Sequence, residues 1–227
     1  MGSLSHARNR PEVLVSPEDR LVGDASREGG VALAVASVLL EQLLDHTPAT
    51  VAHSLRVARL TALMATHLPY AMRPTWAQRP GEVYAAGLTH DVGKLRVPLA
   101  ILEAPRPLTA AERAVVEEHP GDGVDLIRDA APGPPAPCIP PVLVDAAWTH
   151  HEHWDGRGYP RRLRGRAIPL VGRLVGLADA YDAMREDRPY RPALSHHMAI
   201  YEIVRGAGAQ FDPFLVAFVL DQRLLTD

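Results

Sequence analysis

The sequence predicts an all-α protein, a single-domain helical bundle, on three observations. Apolar residues return at three- and four-residue steps through most of the 227-residue chain, the spacing of helices that bury one face. No segment alternates convincingly with the period of two that a half-buried strand requires. The Gly- and Arg-rich stretch at 154–169 separates two helical patterns rather than two strands. At this length one core can bury most of the apolar surface, and neither an internal repeat nor a long linker divides the helices.

Residues 1–28 are polar and aperiodic and are expected to form a weakly ordered tail. Residues 29–47 carry a lead-in helix, with its apolar periodicity over 31–44. Thr47-Pro48 reads as a cap and first-turn proline opening a second helix through His67. A third runs over 81–91, with Gly93 as its stop. Thr109 and Glu112 have the spacing of a capping box, and the helix they open is expected to reach Ala130. Prolines at 132, 134, 135, 137, 140 and 141 make 131–141 a surface loop. Further helices are expected over 142–151, 170–184, 195–205 and 213–223.

Composition narrows the function. Charged residues make up 22% and the net charge is -3, so no basic surplus points to duplex nucleic acid. A small anionic ligand needs only a local positive site, which bound metal ions can supply. The single cysteine, Cys138, excludes an internal disulfide and a thiolate zinc cluster, leaving His, Asp and Glu as metal ligands. The longest apolar run is too short to span a bilayer and the N-terminus lacks a signal pattern, so the expectation is a cytoplasmic protein without membrane insertion.

Eleven histidines is a high count, although a lone helical histidine is ordinarily a packed or surface residue. The settings carry more. His90-Asp91 precedes Val92-Gly93-Lys94, and adjacent helical residues point about 100° apart, so both serve one site only at a helix end or around two metals. His150-His151-Glu152-His153-Trp154-Asp155 gathers further imidazoles and carboxylates, the ligands of zinc, iron or manganese, which are costly to bury unless paired or metallated.

Six motifs in register, from about residue 48 onward, resemble the HD-GYP family. They are His53-Ser54-Leu55-Arg56-Val57, His90 to Lys94, His119-Pro120 with Gly123, the double histidine leading to Gly158-Tyr159-Pro160, Asp179-Ala180-Tyr181-Asp182-Ala183 with Arg188-Pro189-Tyr190-Arg191, and Gln210-Phe211-Asp212-Pro213. The resemblance implies a domain over 48–227 with a loop-rich Gly-Tyr-Pro segment and a metal-dependent phosphodiesterase. It places His53, His90, Asp91 and Asp179 on one metal, with Asp91 bridging to a second held by His119, His150 and His151. His67, His153, His196 and His197 match no ligand position.

A glutamate that holds a third metal in some members is replaced here by Ala49, so the expectation is two divalent ions, iron or manganese rather than zinc by the resemblance. Such a pair activates water and stabilises both oxygens of an in-line displacement. Asp91 and Lys94 are the candidate catalytic residues, Lys94 as a compact cation for phosphoryl charge. Gly158, Tyr159 and Pro160 are expected to line a dinucleotide site, Asp182 to accept from a guanine, and Arg188, Arg191 and Arg173 to grip base or phosphate. The implied reaction opens cyclic di-GMP to linear pGpG, with slow onward cleavage. Two alternatives stay open: another substrate of the wider superfamily, such as cyclic GMP-AMP, and a module that binds the dinucleotide with little turnover. Two macromolecular partners also stay open, a second copy of the chain and a separate sensory or signalling protein.

Overall fold

The computed structural model describes residues 30–130, 139–187 and 192–226. These form ten α-helices joined by short 3₁₀ turns, and no strand occurs among the described residues. The expected 1–28 tail, most of the proline-rich loop, Arg188 and Arg191 lie outside them.

The helix α3 (Pro80–Thr89) is the axis of the bundle: nearly every residue from Gly81 to Thr89 is buried, as expected of a helix apolar on all sides. Around it pack α1 (Gly30–His46), α2 (Pro48–His67) and α7 (Pro141–Thr149). Behind α2 and α7 lies α8 (Leu170–Arg185), which in turn carries α9 (His196–Arg205). The expected lead-in helix is part of this packing, for α1 sends Ala32, Val35, Ala36 and Leu39 into the same apolar core as Val83, Leu143 and Leu174. A short helix α4 (Leu99–Leu102) was not expected, and α10 (Pro213–Asp221) closes the chain behind its Asp212 cap.

Among the boundaries that differ from expectation, two shape the site. The capping box is present, with Thr109 accepting from the Glu112 amide and the Glu112 carboxylate accepting from the Thr109 amide. The helix it opens nonetheless stops at Val116, giving α5 (Ala110–Val116), and a separate α6 (His119–Asp129) follows. Pro120 is the cause: it has no amide to donate and its ring collides with the carbonyl four residues earlier, which is that of Val116. Likewise α3 ends at Thr89 rather than Asp91, and Val92–Arg96 winds as a 3₁₀ turn. Gly93 does not act as a left-handed stop. A Cβ there would collide with the carbonyl oxygen of His119, so glycine lets this turn lie directly on α6.

Candidate metal centre

Five helices converge on one buried cluster. His53 comes from the middle of α2, His90 and Asp91 from the end of α3, His119 from the first turn of α6, His150 and His151 from the end of α7, and Asp179 from α8. The imidazole rings pack edge to face or tilted, with centroids 5.4 Å apart for His53 and His90, 5.0 Å for His90 and His150, and 4.1 Å for His150 and His151.

Helix ends set the tautomers. The Nδ1 of His90 donates to the Gly87 carbonyl at 2.7 Å, that of His119 to Val116 at 2.6 Å, and that of His150 to Ala147 at 3.0 Å. A carbonyl only accepts, so in each ring Nδ1 carries the hydrogen and Nε2 faces the cluster as a donor of its lone pair. The carbonyl that Pro120 leaves free at Val116 is the one that orients His119. Burial lowers the pKa of His119 and lowers that of His151 well below the usual range, the neighbouring His150 adding to the second shift; neutral rings are the form that ligates metal.

Asp91 divides this cluster. Its Oδ1 lies 3.3 Å from His119 Nε2 and 3.7 Å from His150 Nε2, while its Oδ2 lies 3.4 Å from His90 Nε2 and 3.9 Å from His53 Nε2. His119 Nε2 and His150 Nε2 are 3.2 Å apart, and His90 Nε2 is buried without a hydrogen-bond partner. Lone pairs that face each other at such distances are reconciled by a cation between them. The ligating atoms of Asp91, His119, His150 and His151 fall within 4.8 Å of one another, as do those of His53, His90 and Asp179. The donor set is imidazole and carboxylate, suited to iron, manganese or zinc, so the residues fit a divalent metal centre. Burial works against ionisation of Asp91, but the positive charge of Lys94 beside it acts the other way, and the carboxyl is held well below its ordinary range.

The expected substrate residues fall into two groups. Lys94 faces the cluster, its Nζ 2.5 Å from Asp91 Oδ2, because the 3₁₀ turn carries it back over the pair. Tyr159 stacks on His151 with ring centroids 4.7 Å apart, its amide bonded to the His151 carbonyl at 3.1 Å, and the Tyr159-Pro160 peptide is cis. A Cβ on Gly158 would collide with the His153 amide and the His151 carbonyl, so glycine alone lets the turn close there. Burial and the negative charge of Asp91 raise the Tyr159 phenol above its usual value, keeping it a hydrogen-bond donor.

Asp182 and Arg173 are placed differently from expectation. Asp182 is 5% exposed and accepts from His53 Nδ1 at 2.7 Å and from Arg56 through Nε at 2.7 Å and Nη2 at 2.9 Å. Its oxygens are occupied by this chain rather than open to a guanine. Arg173 donates to Asp212 at 2.6 Å and to the Ile168 carbonyl at 3.0 Å. This pair ties α8 to the cap of α10, although Arg173 also lines a small cleft beside Asp179 and His151. Residues given no role from sequence include Arg56, three positions from His53 on one helix face, and Glu152. The Glu152 carboxylate accepts from the amides of Arg161 at 2.7 Å and Leu163 at 2.8 Å and so holds the Gly-Tyr-Pro turn against the cluster.

A sequence model of the HD domain matches residues 38–215. The chain belongs to the HD domain family. The HD-GYP resemblance is borne out as well. The chain is 38% identical over 189 residues to a cyclic di-GMP phosphodiesterase of Vibrio cholerae, covering 82% of this chain and 38% of that relative. It is 36% identical over 132 residues to a 3'3'-cGAMP-specific phosphodiesterase of the same organism, covering 58% of this chain and 24% of that relative. The chain therefore spans well under half the length of these curated relatives. Among solved structures, an HDG"Y"P protein from Bdellovibrio bacteriovorus superimposes with a TM-score of 0.58 at 18% identity, over 77% of this chain and 52% of the other, a likeness of fold. No described helix of this HD domain is long and apolar enough to cross a membrane.

Proposed function

We propose that this HD domain hydrolyses one phosphodiester bond of a cyclic dinucleotide, cyclic di-GMP foremost, with two divalent metal ions. The observation that carries the reading is the division of the Asp91 carboxylate, one oxygen toward His119 and His150 and the other toward His90 and His53. In this reading His53, His90, Asp91 and Asp179 hold one ion, and Asp91, His119, His150 and His151 hold the second. Ions so held supply Lewis acidity and a water of lowered pKa at neutral pH.

The chain's own groups do the remainder. Lys94, the cation at the mouth of the cluster, neutralises charge that builds on the phosphoryl oxygens. Tyr159 offers a phenol that stays protonated, a hydrogen-bond donor to phosphate or sugar. Gly158 and Pro160 shape the wall that the dinucleotide meets, and Glu152 keeps that wall in place. Ala49, one turn before His53, offers no ligand, which favours pGpG as the product over onward cleavage. Iron or manganese is the proposed metal.

Cyclic GMP-AMP is the second reading, and a specific observation favours keeping it: Asp182 is engaged by His53 and Arg56, so the carboxylate expected to select guanine is spent within the fold. Anaerobically purified protein is to be loaded with Mn²⁺ or Fe²⁺ and given each dinucleotide, with Asp91→Ala as control. Formation of pGpG that is lost in Asp91→Ala supports the proposal. Faster opening of cyclic GMP-AMP moves the substrate, and binding of both without turnover replaces the enzyme with a receptor.

A further inference from the structure

We propose that Arg56 is a positioning residue that sets the metal-facing geometry of His53 through Asp182; the inference rests on the reading of His53 as a metal ligand. The need for it comes from where His53 sits. His90, His119 and His150 stand at helix ends and fix their tautomers on carbonyls that helix termini leave free. His53 is in the interior of α2, where backbone carbonyls are already taken by the amides of the next turn. Its Nδ1 must find an acceptor elsewhere, and it finds Asp182 of α8 at 2.7 Å.

Asp182 is buried, and a carboxylate withdrawn from water needs a partner. Arg56 answers with a two-pronged grip, Nε on Oδ1 at 2.7 Å and Nη2 on Oδ2 at 2.9 Å, while Glu186 accepts from the same Nη2. Asp182 also stands one turn from Asp179, whose Oδ1 is 3.0 Å from His53 Nε2. Two carboxylates from one face of α8 thus bracket a single imidazole, one on each nitrogen. Without the guanidinium, nothing in this arrangement distinguishes the orienting carboxylate from the ligating one. The fork of Arg56 does so by fixing the plane of Asp182, and with it the ring plane of His53. The planar geometry is what matters, and lysine, a point charge on a flexible stem, cannot reproduce it.

The test is titration with Mn²⁺ alone, by calorimetry and electron paramagnetic resonance, of the native protein, Arg56→Gln and Arg56→Lys, followed by cyclic di-GMP turnover across Mn²⁺ concentrations. The native protein is expected to bind two ions. Arg56→Gln should weaken one of the two by roughly 10–100-fold, the range for removal of groups that orient a ligand, and leave the other unchanged. Arg56→Lys should fall between. Turnover in Arg56→Gln should recover at high Mn²⁺ with the KM for dinucleotide unaltered. Two ions bound with native affinity in a folded Arg56→Gln would overturn the inference and leave the metal centre standing. A loss confined to KM would make Arg56 a substrate contact instead. A native protein that binds no Mn²⁺ would remove the metal reading and this inference together.

Discussion

Two neutral imidazole nitrogens 3.2 Å apart, each with its other nitrogen committed to a backbone carbonyl, repel one another unless something positive lies between them. His119 and His150 are in that position, with a third acceptor, Asp91 Oδ1, at 3.3 and 3.7 Å. In the proposed two-metal reading, coordination offsets the cost of bringing these lone pairs together, so removing one of them should change stoichiometry before it changes the fold. His119→Ala is expected to reduce bound Mn²⁺ from two ions per chain to one, measured on dialysed protein. Turnover should fall by more than the roughly 10–100-fold typical of losing an orienting group. A His119→Ala protein that still carries two ions would refute the assignment. That these residues gather in one cluster was legible in sequence because chemistry-bearing residues recur in a fixed order, whereas the contacts of Arg56, Asp182 and Glu152 were not. A motif names a residue but not its neighbour: Asp182 lies 129 positions from His53, and only the packing of α8 on α2 shows that its oxygens are taken.

At the scale of elements, the helix types were readable from periodicity and caps, and the errors came from proline and glycine acting across the fold. Pro120 split one expected helix into α5 and α6, since the ring's clash with the Val116 carbonyl outweighs the continued apolar pattern. Gly93 was read as a stop when its service is close approach, a distinction that depends on α6 lying against it. Gly158 makes a similar approach in the Gly-Tyr-Pro turn. Gly158→Ala should push that turn off His151 and lower turnover on the dinucleotide, while both ions stay bound; loss of metal as well would mean that the turn supports the ligands directly. The capping box of α5 gives a pH-dependent prediction. Hydrogen bonds from Arg106 and from the Thr109 amide and hydroxyl hold the Glu112 carboxyl down at about 2, against an ordinary 4.5. A folded-state pKa below the unfolded one contributes stability above the unfolded value and loses it as pH falls through the folded value. The Tm advantage of the native protein over Glu112→Gln should therefore be full above pH 4.5 and close as the pH approaches 2. Because the pair is solvent-exposed, the advantage should be small and should shrink in high salt. An advantage independent of pH would assign the effect to packing.

Over the whole molecule, the site and the core are one structure. The helices that position the cluster are those that build the bundle, and α3, buried along nearly its whole length, leads directly into His90 and Asp91. The family match begins at residue 38, inside α1, yet Ala32, Val35 and Ala36 upstream of it are fully or almost fully buried, so the packed unit extends beyond the matched segment. Composition could show that a core of this size exists, but not that α1 belongs to it, because an amphipathic helix looks the same whatever it packs against. The coupling of core and site has a thermodynamic consequence. The cluster residues come together only in the folded chain, so in the proposed reading metal binds the native state and stabilises it by mass action. One site at about 100 times its Kd adds about 2.7 kcal/mol, and for a domain of this size each kcal/mol raises Tm by about 2–4 °C. Excess chelator should then lower the melting temperature by roughly 5–11 °C per site lost, and added Mn²⁺ should restore it. Asp91→Ala, deprived of the residue that both sites share, should melt at the same temperature with and without chelator. A native protein whose Tm ignores chelation, with Mn²⁺ shown to be bound beforehand, would mean that the cluster binds metal no better folded than unfolded, which its five-helix construction does not permit.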